Sequence, residues 1–229
     1  MKALLLAAGF GTRLKPLTNH IPKCMVFIKN KPLLDFWIEN LINSGIKSIK
    51  INTHYLSNIV FEHIEKSKYK NQIELIHENK LLGTGGTLIN NIEFFEGEDG
   101  FLIHADNYCL DDMNLLIEAH KERPSSCLIT ILVFETENPS SCGIVEINSL
   151  GVVTSFFEKV NNPPGNLANG AIYLLSREAI DIIKNDFSDK SDFVTEILVH
   201  FIGKIFTYKT YKTFIDIGTP EAYFKANSI

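Results

Sequence analysis

The sequence predicts an α/β protein with a doubly wound, mostly parallel but mixed Rossmann-like sheet, and three observations carry that reading. Residues 3 to 8 form an unbroken apolar run that stops at a glycine turn, "GFGTRLK", as a strand buried on both faces does. Stretches of helical spacing then alternate with short apolar runs as far as residue 104, the rhythm of βαβ units. Beyond that point strand-like runs follow one another with few helices between them.

The run at 3 to 8 is one strand, and its lack of polar alternation places it near the centre of the sheet. It is too short for a signal peptide's core plus cleavage region, and far too short to cross a bilayer. After Pro32, the side chains of Leu34, Trp37, Ile38, Leu41 and Ile42 share one helical face, with Gly45 just past its end. Ile49 and Ile51 alternate with Ser48 and Lys50 as a strand, residues 59 to 64 form an amphipathic stretch, and 73 to 76 form another strand. Gly83 opens a helix expected to run to about Phe94, and residues 101 to 104 make a fourth short strand. In the second half, 128 to 134, 143 to 147, 152 to 157 and 171 to 174 read as strands. Helices return at 176 to 184, capped by Ser176, and at about 192 to 202. "FEHIEKSKYK", 61 to 70, is a solvated, charge-rich helix face, and "NNPPGN", 161 to 166, is a loop rather than a linker. Residues 1 to 229 are therefore expected to form a single domain.

The 22 Lys and Arg against 27 Asp and Glu leave a net charge of −5, without the basic surplus of nucleic-acid or anionic-membrane binders. Neither is expected as a partner, and any site for a polyanion must be local. Cys24, Cys109, Cys127 and Cys142 stand singly, with no C-x-x-C pair and no secretory segment, so reduced thiols and a cytoplasmic location are expected.

A strand running into glycines presents backbone N–H groups at close range, which suits a phosphate. Gly9 and Gly11 allow that approach. The dinucleotide fingerprint needs a third glycine where this chain has Leu14, and the P-loop ending G-K-[ST] has no match. What remains is a glycine turn followed by Arg13, Lys15 and Lys23, a coherent polyphosphate site because arginine donates in a planar fork and lysine as a point charge. Taken alone, a G-x-G with three cations also fits a solvated basic turn.

Further residues decide between them. "LAAGFGTRLKPLT" followed by "IPK" resembles the signature of the sugar-1-phosphate nucleotidylyltransferases. "LLGTGGTL", "IHADN", "SCGIVEI", "FEKV", "NLANGAIYLL" and "FIDIGTPEAY" resemble that family's later blocks in the same order, so the likeness covers nearly the whole chain. It implies a fold of the glycosyltransferase-A or nucleotidyltransferase type with a small sugar-binding β lobe. Residues 1 to 107 would be the nucleotide half and 108 to 229 the sugar-phosphate half.

The resemblance also implies a reaction: a sugar 1-phosphate oxygen attacks the α-phosphorus of a nucleoside triphosphate and pyrophosphate leaves. Arg13, Lys23, Asp106 and Asp216 would be the catalytic set, with Asp106 and Asp216 holding Mg2+. Ala7, Ala8, Gly9, Gly11, Thr12, Arg13, Glu78, Gly83 and Thr84 would bind the nucleotide. Lys23, Gly143, Glu158, Lys159 and Asn169 would bind the sugar phosphate. His54, His77 and His104 have no metal-ligand spacing and are expected to be satisfied structural histidines.

"HAD", "PKC", "EKV" and "CG" depart from the family's commonest wording, which bears on the substrate rather than on the reaction. The similarity to heptose- and mannose-1-phosphate guanylyltransferases makes GTP the expected nucleotide, ahead of UTP and dTTP, with CTP and a phosphocholine-type acceptor further off. A catalytically silent nucleotide-sugar regulator and a nicotinamide-dependent dehydrogenase are the readings from other classes. A homodimer is one expected assembly. No C-terminal β-helix domain is expected, since the chain ends shortly after "DIGTP".

Overall fold

The computed structural model describes residues 1–95 and 97–229. In chain order the strands and helices of the first half are β1 (Lys2–Leu6), β2 (Phe27–Ile28), β3 (Lys31–Pro32), α1 (Leu33–Asn43), β4 (Ile49–Thr53), α2 (Ser57–Glu65), β5 (Ile73–His77), α3 (Gly83–Asn90) and β6 (Gly100–His104). β7 (Asn107–Cys109), α4 (Met113–Glu122), β8 (Ile129–Glu135), β9 (Gly143–Ile147), β10 (Val153–Glu158) and β11 (Leu167–Leu175) follow. The chain closes with α5 (Arg177–Asp186), α6 (Phe193–Glu196), β12 (Ile205–Lys209), β13 (Phe214–Asp216) and α7 (Pro220–Ser228).

One nine-stranded sheet runs through both halves in the order β10-β9-β11-β6-β1-β4-β5, with β8 on the other edge of β11 and β12 beyond β8. Strands β5, β4, β1 and β6 are parallel, and β11 turns the sheet antiparallel against β6, β8 and β9. β1 is central and fully covered. Leu5 points into a core with Trp37, Ile51 and Ile103, while Leu4 points into the opposite core with Leu102, Tyr173 and Phe193. Its continuous apolar sequence is what two buried faces require.

Local chemistry explains the ends of several elements. Ser176 Oγ accepts from Ala179 N–H at the start of α5, and Thr219 Oγ1 from Ala222 N–H at the start of α7, where Pro220 takes a position that needs no donor. α1 buries Leu34, Trp37, Ile38 and Leu41 along one stripe, as its spacing predicts.

Two helices are shorter than the sequence suggests. α3 stops at Asn90 instead of reaching Phe94, because Asn91 Nδ2 donates to Thr87 O at 2.8 Å and the next residues tighten into a 3-10 turn, Ile92–Phe95. The stretch at 192 to 202 splits into α6 and a second 3-10 turn, Leu198–Phe201. Ile197, fully buried at the break, has left the helical region at φ −121°, so packing overrides local propensity there. α2 ends at Glu65, which leaves half of the charge-rich 61 to 70 segment in turns.

The short pair β7 and β13 lies outside the large sheet and pairs antiparallel, with Asp216 opposite Asn107. Trp37 ties α1 to this pair, its buried indole Nε1–H donating to Asn107 O at 2.8 Å. Trp37→Phe leaves that carbonyl without a partner and a gap beside it, so it lowers unfolding stability by about 1–3 kcal/mol, to be read from a urea titration; an unchanged midpoint would show that the bond carries nothing.

Candidate functional site

The site gathers where β1, β4 and β6 end at their carboxyl edges, the usual position for ligands of open α/β sheets. β1 releases the chain at Ala7, whose N–H donates to Asn52 Oδ1 at 2.7 Å. The turn that follows exposes Gly9 and Phe10, and Gly11 adopts a left-handed φ of +63°. A side chain there would also strike Thr18 at 2.9 Å and Lys23 Cβ at 3.1 Å, so the turn requires glycine twice over. Gly11 O accepts from Leu14 N–H at 3.0 Å and from Thr18 Oγ1 at 2.7 Å, which closes the loop on itself.

Lys23 follows Pro22 and opens a 3-10 turn, Lys23–Met25, whose three side chains are buried. Its ammonium reaches the far side of the sheet's edge. Nζ lies 2.6 Å from Asp106 Oδ2 and 3.6 Å from Asp216 Oδ1. Asp106 is delivered by β6, whose parallel pairing continues through Ala105 N–H to Leu6 O, and Asp216 by β13, with Ile217 N–H donating to Asp106 O at 3.0 Å. Burial works against the ionised Asp106 carboxylate, but the Lys23 ammonium and the neighbouring His104 outweigh it and hold its pKa below the ordinary 3.8.

Both carboxylates approach the same Lys23 ammonium, and their oxygens are hard donors of the kind a divalent ion takes. No cluster of three His, Cys, Asp or Glu side chains among the described residues could hold a metal by itself. The donor set therefore fits a metal that finishes its shell with water and ligand oxygens.

Two cavities meet at Asp106 and His104. The first, about 270 Å3, is lined by Ala8, Gly9, Asn52, Glu78, Gly83, Thr84 and Thr87 among others. The second, about 210 Å3, is lined by Arg13, Gly143, Glu158, Lys159, Asn169 and Asp216 among others, with Phe134 and Phe214 stacked at 4.1 Å in its wall. Gly143 leaves the space that Glu158 Oε2 uses, since a Cβ there would lie 2.5 Å from it. Arg13 runs past Gly218, where a Cβ would come within 3.2 Å of Nη2 and 3.1 Å of Asp216 Oδ2.

Several of the expected site residues already have partners within the protein, or stand apart from the cavity linings. Ala7, Gly11 and Thr12 line neither cavity: the Ala7 N–H is taken by Asn52, Gly11 packs inward, and Thr12 stands exposed in a 3-10 turn. The Thr84 hydroxyl is tied to the start of α6, accepting from Phe193 N–H at 2.8 Å. Asn169 donates to Tyr173 Oη at 2.8 Å and accepts from Ala171 N–H at 3.0 Å, which fixes its amide in the wall of the second cavity. Lys159 turns to Glu158 Oε1 at 3.2 Å, in a left-handed backbone at φ +49°.

Glu78 is buried rather than a solvated strand-end acid. Its Oε1 accepts from Asn52 Nδ2 and Thr87 Oγ1 at 2.9 and 2.5 Å, and its Oε2 from Leu82 N–H at 3.2 Å. Asn52 and Thr87 were not anticipated; an asparagine inside the apolar run "IKINT" was the available signal. Of the three histidines, His54 is satisfied by Glu78 O at 2.7 Å, whereas His104 Nε2 is buried without a partner and burial lowers that ring's pKa.

A glycine turn, a lysine bridging two carboxylates and a cavity on each side of them thus meet at one edge of the sheet. The chain belongs to the nucleotidyl transferase family, whose model matches residues 2–229. It is 31% identical over 232 residues to the D-glycero-alpha-D-manno-heptose 1-phosphate guanylyltransferase of Campylobacter jejuni, covering 98% of this chain and 97% of that one. It is 28% identical to the mannose-1-phosphate guanyltransferase of Saccharomyces cerevisiae, covering 97% of this chain but 63% of the yeast protein. A relative from Sulfolobus acidocaldarius is likewise spanned over only 62% of its length. The crystal structure of HddC from Yersinia pseudotuberculosis, complexed with GMP-PN, superposes with a TM-score of 0.81 at 31% identity, covering 99% of this chain and 98% of that one. Among the described residues no helix is long and apolar enough to cross a membrane.

A carboxylate whose folded pKa is depressed contributes stability above its unfolded value, 3.8 for Asp106, and loses it as pH falls through the lower folded value. The stability gap between the wild type and Asp106→Asn should therefore be wider at about pH 6 than at about pH 3. Urea midpoints at the two pH values measure it, and a gap that does not narrow in acid removes the Lys23–Asp106 pairing from the account.

Proposed function

We propose that this protein is a guanylyltransferase: it joins GTP to a sugar 1-phosphate of the mannose or heptose type, releasing pyrophosphate and forming a GDP-sugar. The observation that carries this reading is the Lys23 ammonium held between Asp106 and Asp216 at the junction of the two cavities. The heptose and mannose guanylyltransferases among its relatives, and the GMP-PN bound by HddC, support the choice of substrates.

No group needs to be deprotonated for this reaction. A phosphomonoester has a second pKa of about 6 and is already mostly dianionic near neutrality, so the work is positioning and charge neutralisation. The glycine turn and Arg13 would hold the outgoing phosphates. Lys23 would leave its carboxylates enough to bridge the α-phosphate and the incoming sugar phosphate, drawing two anions into contact. Asp106 and Asp216 would hold a divalent metal, for which Mg2+ is the proposed ion, and this ion would neutralise phosphate charge that the protein's own cations do not reach. Lys159 and Glu158 would close on the sugar, with the stacked Phe134 and Phe214 as its apolar wall.

Glu78 supports GTP over UTP and dTTP. Its Oε2 carries one long bond and faces the first cavity, where a carboxylate can accept from the N1–H and the exocyclic amine of guanine. Uracil and thymine offer a single N3–H flanked by two carbonyl oxygens, which the same charge would repel. The chain would act as a single catalytic unit in the cytoplasm.

A grid of four triphosphates against mannose- and heptose-type 1-phosphates with Mg2+, read by pyrophosphate release, should show the GTP pairs alone as strong. Lys23→Ala, Asp106→Asn and Asp216→Asn should each cut kcat by about 100- to 1000-fold. Glu78→Gln should weaken GTP discrimination against UTP by about tenfold or more. Tight nucleotide-sugar binding with no pyrophosphate from any pair would instead mark a regulator.

A further inference from the structure

The glycine turn is held at three points by one four-residue segment, residues 52 to 55 at the end of β4. Its start is fixed by Ala7 N–H on Asn52 Oδ1 at 2.7 Å. Its tip is fixed by Phe10, whose ring meets His54 edge-on at 5.3 Å and 82° and meets Tyr55 at 6.0 Å and 58°. Its exit is fixed by the Tyr55 hydroxyl, which shares one proton between Thr18 O at 3.1 Å and Asn19 O at 3.2 Å, while Thr18 Oγ1 reaches back to Gly11 O.

Phe10 is otherwise out of place. It is 47% exposed, lines neither cavity and stands between two glycines, one of which has nothing within 4 Å of its missing side chain. An isolated Gly-x-Gly tip would sample many backbone states, and each would aim the N–H groups differently. The only ring contacts of Phe10 among the described residues are those with His54 and Tyr55, so the aromatic cluster is what selects one state.

The same segment also holds the base side. Asn52 Nδ2 donates to Glu78 Oε1, and since a carbonyl can only accept, His54 donates Nδ1–H to Glu78 O. His54 stacks in turn on His77 at 6.2 Å and 16°. The distance between the base-reading carboxylate and the phosphate turn is thus set by residues 52 to 55.

We propose that Phe10, His54 and Tyr55 are positioning residues: their aromatic cluster pins the glycine turn so that its N–H groups are preset for the outgoing phosphates of a nucleoside triphosphate. This rests on the reading of the turn as the triphosphate's cradle. The contribution falls on groups beyond the α-phosphate, because the base and α-phosphate have other holders.

The test compares wild type, Phe10→Ala, Phe10→Tyr and Tyr55→Phe, each checked for an unchanged melting temperature, in equilibrium binding of GTP and of GMP with Mg2+. Phe10→Ala should weaken GTP by about tenfold while leaving GMP within about twofold, and Phe10→Tyr, which keeps the ring, should restore GTP. Tyr55→Phe, which keeps the ring but drops the clamp on Thr18 and Asn19, should cost GTP about threefold. In turnover, Phe10→Ala should raise KM for GTP and leave KM for the sugar 1-phosphate within about twofold. Equal losses for GTP and GMP, or no loss for either, would overturn the proposal while leaving the guanylyltransferase reading intact. A wild type that binds no nucleoside triphosphate would sink both.

Discussion

The site depends on a single electrostatic arrangement, an ammonium shared between two carboxylates whose residues lie 83 and 193 positions further along the chain. Two acids held this close would repel one another across a partly dry cleft, and one cation between them removes that cost. The surrounding fold is arranged to deliver the three groups: a 3-10 turn after Pro22 for Lys23, a central parallel strand for Asp106, and the small β7–β13 pair for Asp216. The pair is itself secured by Trp37 and by Asn107 Nδ2 donating to Gly170 O at 3.0 Å.

A second polar network runs parallel to the first. Asn52 joins the backbone of the glycine turn to Glu78, and Glu78 gathers Thr87 and Leu82 from the start of α3. A buried acid without a cation is costly unless its lone pairs are met, and here one oxygen is filled while the other retains capacity toward the cavity. That incomplete satisfaction distinguishes a carboxylate kept for a ligand from one kept for packing. His104, with a buried nitrogen lacking a partner between the two cavities, is a further departure from full satisfaction in the same place.

Much of the architecture was legible beforehand because long apolar or periodic segments have few alternatives. The run at 3 to 8 had to be covered on both faces, and Leu34, Trp37, Ile38 and Leu41 had to share a helix stripe. Legibility failed where the element was short or the deciding contact distant. β7 and β13 span three residues each and pair across more than a hundred residues, so no local pattern announces them. The break at Ile197 and the early end of α3 at Asn90 follow from side chains finding partners that sequence spacing does not reveal.

The same division holds for the site. The sequence by itself supplied the candidate residues and their order, because the glycine turn with Arg13 and Lys23, and the acids after apolar strands, stand in blocks that resemble one family's. It could not say which polar atoms already had partners, since the Thr84 hydroxyl and the Ala7 N–H are met by Phe193 and Asn52 from other elements, and Asn169 by Tyr173 further along its own strand. Only the tertiary structure decided that Lys23 lies between Asp106 and Asp216, that Glu78 is buried with capacity to spare, and that Phe10 rests on His54 and Tyr55. Hydrogen bonds and ion pairs are short-ranged and are formed across folds of the chain, so their assignment waits until distant segments meet.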